Sequence, residues 1–245
     1  MKTSRAIIIL IFISIALYFF VRQNTTQSPE KFSPNTDTNE PWDECYASID
    51  VRENGLQDEY SLRMHGQDSK VSGEIQFLPA EKDKKTGTFT GGVDTPQANT
   101  SLRSISGLWE SHAEGMENTE EIRIRFDART ATIGMGEMAD SGDGVYKYVD
   151  PEHISYSLEL GVVSCADLDE RQLVEKYVRD NIATLAPVDP VLGGSWYVYS
   201  VSVDTSTNTG RVVFEDGHIQ SIATFTYAIQ DNTSNVSFMK LEIAE

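Results

Sequence analysis

Apolar and polar residues alternate along most of the chain beyond residue 42. The alternating inward positions before residue 165 are Tyr60, Leu62 and Met64, then Val71, Gly73, Ile75 and Phe77, then Ile122, Ile124 and Phe126. A period of two predicts strands with one buried and one wet face, as in an antiparallel sheet. We therefore expect an antiparallel meander over residues 43–165 that closes into a small barrel or sandwich. The stretch 99–118 breaks the alternation, so we expect a longer excursion there.

One segment has helical periodicity instead. Asp167 and Glu170 have the spacing of a capping box, with Asp167 as the N-cap. The apolar stripe comprises Val174, Val178, Ile182 and Leu185. Charges of alternating sign at i,i+4 spacing predict a wet face beside this stripe. These charged residues are Arg171, Glu175 and Arg179. Pro187 is expected to end the helix.

Alternation resumes after the helix and predicts four more strands. The alternating residues are Tyr197, Tyr199, Val201 and Val203, then Ala223, Phe225, Tyr227 and Ile229, then Met239, Leu241 and Ile243, and the apolar run Val212-Val213-Phe214 lies between the first two sets. Asp216-Gly217 between two of these strands predicts a type I′ hairpin turn. Residues 166–245 should form one amphipathic helix on a four-stranded antiparallel meander. The whole fold is then mainly β, of the α+β class.

The N-terminal segment has neither pattern. Residues 6–21 are apolar except Ser14, and they lie between Arg5 and Arg22, which is typical of membrane targeting. No pair of small residues suited to cleavage follows, so residues 1–22 are expected to stay as a signal anchor, with cleavage and secretion as the alternative. The heavier positive charge before the run predicts a cytoplasmic N-terminus and an extracytoplasmic remainder. Residues 23–42, rich in Ser, Thr, Asn and Pro, are expected to form a disordered stalk.

The formal net charge of −18 bears on which binding partners are expected. An acidic surface repels phosphates and anionic lipid, so no nucleic-acid partner is expected. A solvated surface on an exported domain accounts for this charge. A basic partner or diffuse binding of divalent cations is the alternative.

The two cysteines, Cys45 and Cys165, are expected to lie outside the membrane, where disulfides persist. A bridge between them would close a loop of about 120 residues and stabilise the fold by about 4–5 kcal/mol. Two separate buried thiols are the alternative.

No sequence motif indicates a particular catalytic or metal-binding chemistry. The chain contains no H-E-x-x-H, C-x-x-C, G-x-S-x-G or P-loop sequence. The histidines, which share no ligand spacing, are His65, His112, His153 and His218. We therefore expect no catalytic residue, no metal site and no cofactor.

Three groups of residues come nearest to a site. The segment 137–144 places carboxylates around glycines, as calcium loops do, but Gly142 and Gly144 occupy positions where oxygen ligands belong, which favours a hairpin turn. An aromatic residue accompanies carboxylates, as in glycosidases, in the cluster Trp109, Glu110, His112, Glu114, Glu117, Glu120 and Glu121. Gly134 and Gly136 lack the third glycine and the helix of a dinucleotide site.

Several short runs resemble a pattern shared by small bacterial exported proteins and lipoproteins of unknown function. The runs are VSGEI at 71–75, EKDKKTGTFTG at 81–91, AEGM at 113–116, EEI at 120–122 and GMG at 134–136. The resemblance covers about residues 45–140 and implies a location in the bacterial envelope, but no chemistry. A plain apolar helix stands here where many of those proteins carry a lipidated cysteine.

These patterns predict a membrane-anchored extracytoplasmic protein that binds a small molecule, a glycan or an envelope protein without catalysis. One alternative is an exported carboxylate-dependent, glycosidase-like hydrolase, and another is a stalked structural subunit of an envelope complex. A binding protein should have an apolar concavity at a barrel mouth or sheet face. A glycosidase should have two carboxyl groups about 5–9.5 Å apart in a cleft. A subunit should expose an apolar patch above a few hundred Å².

Overall fold

The computed structural model describes residues 40–52, 56–80, 83–94, 101–230 and 236–244. The strands before the long helix are β1 Trp42–Val51, β2 Gln57–Gln67, β3 Lys70–Leu78, β4 Lys85–Val93, β5 Arg103–Ala113, β6 Met116–Phe126, β7 Thr130–Met135, β8 Met138–Asp140, β9 Val145–Tyr148 and β10 Ser155–Val163. Helix α1 is Cys165–Leu185, and a 3-10 turn, Val191–Gly193, follows it. The last strands are β11 Tyr197–Asp204, β12 Thr209–Glu215, β13 Gln220–Ile229 and β14 Val236–Ile243.

The predicted signal anchor, with its membrane contact through residues 6–21, lies outside the described residues. So does the predicted stalk up to residue 39. Within the described ranges, no helix combines the length and the apolar character needed to cross a membrane.

Eight strands form a closed antiparallel barrel. Strands β1 to β7 follow one another around it, and β10 pairs with both β7 and β1 to complete the circle. Tyr46 of β1, for example, lies opposite Leu62 on one side and Val162 on the other. The predicted antiparallel β fold is confirmed, and of the two closures considered the chain adopts the barrel.

The expected excursion over residues 99–118 is wrong. Most of this stretch is β5, a full barrel strand paired with β4 and β6. Gly107 and Ser111 face inward beside Ile105 and Trp109, while the apolar Leu108 faces outward and is exposed. The inward-facing residues of β5 are therefore not all apolar, and the alternation that would have predicted this strand is interrupted.

The barrel interior is packed and is closed at the end where β1 begins. Its largest fully buried side chains include Tyr46, Phe89, Phe126, Leu62, Met64, Ile75 and Ile105. At the closed end the ring of Trp42 stacks on Phe126 with centroids 5.8 Å apart. The Arg103 guanidinium lies 4.6 Å from the Trp42 ring centroid and 4.8 Å from that of Phe126. This cation–π contact seals the end with aromatic surface.

Helix α1 packs on the sheet formed by β11 to β14, which are hydrogen-bonded in sequence order. Of the predicted stripe, Val174, Val178 and Ile182 are buried there against the sheet, and Leu185 is partly buried. This confirms the predicted helix-on-meander layer.

Two local predictions in this layer are wrong. The N-cap of α1 is Ser164, with no side-chain cap hydrogen bond, and Asp167 lies in the first turn. The helix therefore begins before the expected capping box. The predicted type I′ turn needs a positive φ at both central residues, whereas Gly217 is the one residue of 216–219 that has it, and Asp216 Oδ1 accepts hydrogen bonds from the backbone N–H groups of His218 and Ile219.

The barrel joins the helix layer through the outer face of β1 and β2. A disulfide links Cys45 of β1 to Cys165 at the start of α1, with a Cα–Cα distance of 5.2 Å. Beside it, the Arg63 guanidinium forms an ion pair with Asp169 and donates to the Cys165 carbonyl. These contacts hold the start of α1 against the barrel wall.

Candidate functional site

The barrel is open at the end opposite Trp42, because its wall splits between β6 and β7. These strands pair only at their far ends, where Ile124 lies opposite Ile133. Nearer the open end, the β8–β9 hairpin takes the place of β7, and β9 runs parallel to β6 with Tyr146 opposite Glu120. The inserted hairpin widens the mouth and leaves a cavity of about 590 Å³.

The lining of this mouth cavity is mainly apolar and aromatic. The side chains that define it include Phe77, Trp109, Met116, Met135, Met138 and Tyr146. Met116, Met135 and Tyr146 are also exposed at the rim. The volume is in the range of small-molecule sites, and flexible thioethers adapt readily to the shape of a ligand.

Trp109 forms a rigid wall of the cavity. Its indole packs edge-on against Phe77 at 5.4 Å between ring centroids, and Phe77 in turn packs against Tyr60 at 5.8 Å. Only 4% of Trp109 is exposed, so it is part of the barrel core rather than an open stacking platform.

An ion pair supplies the main polar feature of the mouth. Lys85 Nζ donates to both carboxylate oxygens of Glu120 at 2.5 and 2.6 Å, and the Ser111 hydroxyl donates to Glu120 Oε1 at 3.3 Å. The same ammonium lies 4.7 Å from the Trp109 ring centroid. The two side chains are 28% and 12% exposed, so the pair is largely withdrawn from water.

Glu121 also borders the cavity, but it points to the outer face of β6. Its carboxylate accepts hydrogen bonds from the Arg123 guanidinium at 2.6 and 2.9 Å, and from the backbone N–H of Tyr148 at 3.4 Å. The Tyr148 hydroxyl donates to the Gly134 carbonyl at 2.9 Å. Burial raises the pKa of Tyr148 to about 12, so this donor keeps its proton at neutral pH.

The two glycines of the 134–136 segment have a packing role at this mouth. A Cβ at Gly136 would lie 3.1 Å from the Tyr148 ring, and one at Gly134 would lie 2.8 Å from the Ile154 side chain. The missing side chain at Gly134 leaves room for Ile154, and the one at Gly136 leaves room for Tyr148 of the inserted hairpin.

The acidic cluster predicted from Trp109 to Glu121 lies on the β5–β6 hairpin, which separates its members. Trp109 and Glu120 face the barrel interior, and Glu121 faces outward. His112 and Glu117 form an exposed pair, with Nδ1 to Oε1 at 3.6 Å. The hairpin therefore does not set Glu120 and Glu121 facing each other across a cleft.

The acidic segment 137–144 makes a turn. Asp140 Oδ1 accepts hydrogen bonds from the backbone N–H groups of Gly142 at 2.8 Å and Gly144 at 3.2 Å. The Ser141 hydroxyl donates to Asp143 at 2.5 Å. In the part of the chain that the structure describes, no group of three or more His, Cys, Asp or Glu side chains is placed to hold a metal ion.

A second polar cluster is buried where β2 meets α1 and β11. Glu59 and Glu175 are 3% and 7% exposed, and their carboxyl groups are neighbours. Gln57 Nε2 donates to Glu59 at 3.1 Å and to the Val201 carbonyl at 3.3 Å. The adjoining cavity of about 10 Å³ leaves no room for a substrate. The prediction that Glu175 lies on a wet face is therefore wrong.

Burial and the neighbouring Glu59 together raise the pKa of Glu175 well above its ordinary value. Sequence reasoning missed this cluster, because Glu59 and Glu175 are 116 positions apart and only the fold brings them together. An acidic residue on the outward face of a barrel strand looks like a solvated one.

Comparisons with protein-family models, with curated proteins and with solved structures found no match for this chain. The resemblance of residues 45–140 to bacterial exported proteins stays a prediction. The geometry of the mouth cavity is therefore the basis for a functional proposal.

Proposed function

We propose that this protein binds a small, largely apolar molecule at the open mouth of its barrel, without catalysing a reaction. The single observation that carries the proposal is the cavity of about 590 Å³ between β6, β7 and the inserted β8–β9 hairpin. A concave, mostly apolar pocket with few polar groups is typical of small-molecule sites.

The lining favours an apolar ligand over the other two predicted partners, a glycan and an envelope protein. A sugar subsite usually offers an open aromatic face and many hydrogen-bonding groups, whereas Trp109 is buried and three methionines line the cavity. A protein partner requires a broad surface, whereas these apolar groups converge on one concavity.

The carboxylates of the mouth support a binding role more than the hydrolase alternative. Glu120 is held by Lys85 and Glu121 by Arg123. A glycosidase needs two carboxyl groups that face each other, one of them protonated as the acid. The neighbouring carboxyl groups of Glu59 and Glu175 border a cavity of only about 10 Å³, so they do not meet this need either.

The proposal includes the predicted location of the protein. Residues 6–21 would anchor the chain in a membrane with its N-terminus in the cytoplasm, which would place the barrel outside the cytoplasm. The bridge between Cys45 and Cys165 supports this, because disulfides persist in such compartments.

Methionine methyl groups offer a direct test. The chain has six methionines, of which Met116, Met135 and Met138 line the cavity. Full-length protein labelled with ¹³C at these methyl groups, in lipid nanodiscs, would be titrated with a set of soluble apolar fragments. We expect ligands to shift the three mouth signals while those of Met64 and Met239 stay in place.

A pair of matched variants serves as a control. Met135→Lys puts a charge on the rim, and Ile243→Lys puts one on the separate sheet at similar exposure, since the two residues are 43% and 44% exposed. The rim variant should weaken fragment binding at least tenfold and the other should not. If no fragment shifts the mouth signals, or if both variants bind like the wild type, the proposed function is wrong.

A further inference from the structure

The charged groups around the mouth cavity are already paired with one another. In the described part of the chain, the charged side chains that line it are Lys85, Glu120 and Glu121. Lys85 is bound to Glu120, and Glu121 is bound to Arg123. The cavity therefore presents no uncompensated charge of either sign to a ligand.

From this balance we infer that the ligand of the mouth cavity is uncharged, with an apolar body and a hydroxyl or amide group that meets the Lys85–Glu120 pair. This inference rests on the proposed function and specifies the class of its ligand. A charged group entering the cavity would lose its hydration without gaining a free counter-charge.

Displacement of the ion pair by a charged ligand is also disfavoured. An anion would have to draw Lys85 from Glu120, although the ammonium contacts both oxygens of that carboxylate and lies over the Trp109 ring. A cation would have to replace Lys85 and leave the lysine unpaired in a largely buried position. Either exchange breaks a pair that is withdrawn from water, and the partner left behind makes this costly.

An uncharged polar group can instead add to the existing network. The Glu120 carboxylate accepts from Lys85 and Ser111 and has lone pairs left for a hydroxyl or amide donor. The Asn118 carboxamide lies on the same inward face of β6 and can both donate and accept. These groups are suited to one or two neutral polar atoms.

Three ligands of similar size test the inference. They are 3-phenylpropan-1-ol, 3-phenylpropanoate and 3-phenylpropylamine, titrated separately into the ¹³C-methionine-labelled full chain in nanodiscs, with empty nanodiscs to correct for partitioning. We expect the alcohol to shift the Met116, Met135 and Met138 signals with a Kd at least tenfold below that of either ion.

Two variants should reverse this preference. Lys85→Met leaves the Glu120 carboxylate unpaired and should make the amine the tightest ligand of the three. Glu120→Gln leaves the Lys85 ammonium unpaired and should make the carboxylate the tightest. An alternative explanation, in which apolar contact alone decides, predicts that neither variant changes the order.

The outcomes separate the two proposals. If either ion binds the wild type as tightly as the alcohol, or if both variants keep the wild-type order, the uncharged-ligand inference is overturned while the cavity remains a binding site. If none of the three ligands shifts the mouth signals, or if Met64 and Met239 shift equally, the proposed function itself is overturned.

Discussion

The carboxyl groups of Glu59 in the barrel and Glu175 in helix α1 are neighbours inside the protein. Two neighbouring carboxylates repel each other when both are ionised, which favours a protonated carboxyl in the pair. The Glu175 carboxyl is the group whose pKa is raised, with burial as the main cause and the charge of Glu59 second. The raised pKa of Glu175 therefore makes this part of the contact between the barrel and the helix layer sensitive to pH.

The first prediction concerns the pH dependence of stability. A carboxyl whose pKa is higher in the folded chain stabilises the fold fully below its unfolded pKa, here about 4.5, and loses this contribution as pH rises through the folded value. Glu175→Gln stays neutral at every pH, and its carboxamide can donate a hydrogen bond to the Glu59 carboxylate. We expect it to raise the free energy of unfolding by about 1–3 kcal/mol at about pH 8 and to have little effect near pH 4.

Urea unfolding from about pH 4 to about pH 8 measures this difference. Other charges face the pair, namely Arg171, Arg179 and Lys84. Burial and the charge of Arg179 lower the pKa of Lys84, so the contribution of Lys84 to stability rises as pH passes from its folded pKa toward the unfolded value of 10.5, which is opposite in sign to the contribution of Glu175. Asp180→Asn on the exposed side of α1 is the control, and a Glu175→Gln profile parallel to the wild type would contradict the prediction.

The second prediction concerns the disulfide. Cys45 and Cys165 are separated by 120 positions, and such a bridge restricts the unfolded chain strongly. We expect the Cys45→Ala/Cys165→Ala variant to lose about 4–5 kcal/mol of unfolding free energy by the chain-entropy estimate. The measurement is urea unfolding of both proteins with and without reductant. Reductant should destabilise only the wild type, and equal stability of the two oxidised proteins would refute the estimate.

The sequence predicted the parts of the fold that local patterns encode. Alternation marked the strands around Tyr60 and Ile122, and the stripe from Val174 to Ile182 marked the buried face of α1. Strand β5 was not predicted, because Gly107 and Ser111 interrupt the apolar residues on its inward face. The barrel tolerates small residues there, since large neighbours such as Trp109 fill the interior.

The candidate site was only partly accessible to sequence reasoning. Trp109 and Glu120 were singled out as members of an acidic cluster, and both do line the cavity. Lys85, which forms the ion pair with Glu120, is 35 positions away from it and was not predicted as a site residue. A single lysine at the start of a strand has the sequence pattern of a solvated residue. The cavity itself arises from the insertion of β9 beside β6, a parallel pairing that no periodicity indicates.

The third prediction tests the close packing of the barrel. A Cβ at Gly73 would lie 2.0 Å from the Arg63 carbonyl oxygen and 2.6 Å from the Phe89 ring. Gly92, on the neighbouring strand, has its nearest atom at 3.7 Å. We expect Gly73→Ala to lower the free energy of unfolding by about 1–3 kcal/mol, as overpacking does, and Gly92→Ala to change it little. Thermal unfolding of the two variants compares them directly, and equal Tm values would contradict the packing argument.

The last prediction concerns how much the Lys85–Glu120 ion pair, as distinct from each side chain alone, contributes to the free energy of unfolding. Lys85→Met leaves the Glu120 carboxylate largely buried without its cation, which should lower the free energy of unfolding by about 3 kcal/mol. Glu120→Gln leaves the ammonium unpaired and should cost a similar amount. The double variant has no unpaired charge, and its new carboxamide can still accept a hydrogen bond from Ser111. We expect it to be within about 1 kcal/mol of the wild type, because replacing a whole buried pair is often close to neutral.

Urea unfolding of the four proteins completes a double-mutant cycle. A coupling energy of several kcal/mol would mean that the pair forms in solution as it does in the barrel mouth. Lys240→Met and Glu242→Gln, with their double variant, provide the matched control, since that pair is exposed on β14 and should show a coupling of less than about 1 kcal/mol. Equal coupling energies in the two cycles would mean that water reaches Lys85 and Glu120 freely. The mouth cavity would then lack the water-excluded ion pair on which the uncharged-ligand inference depends.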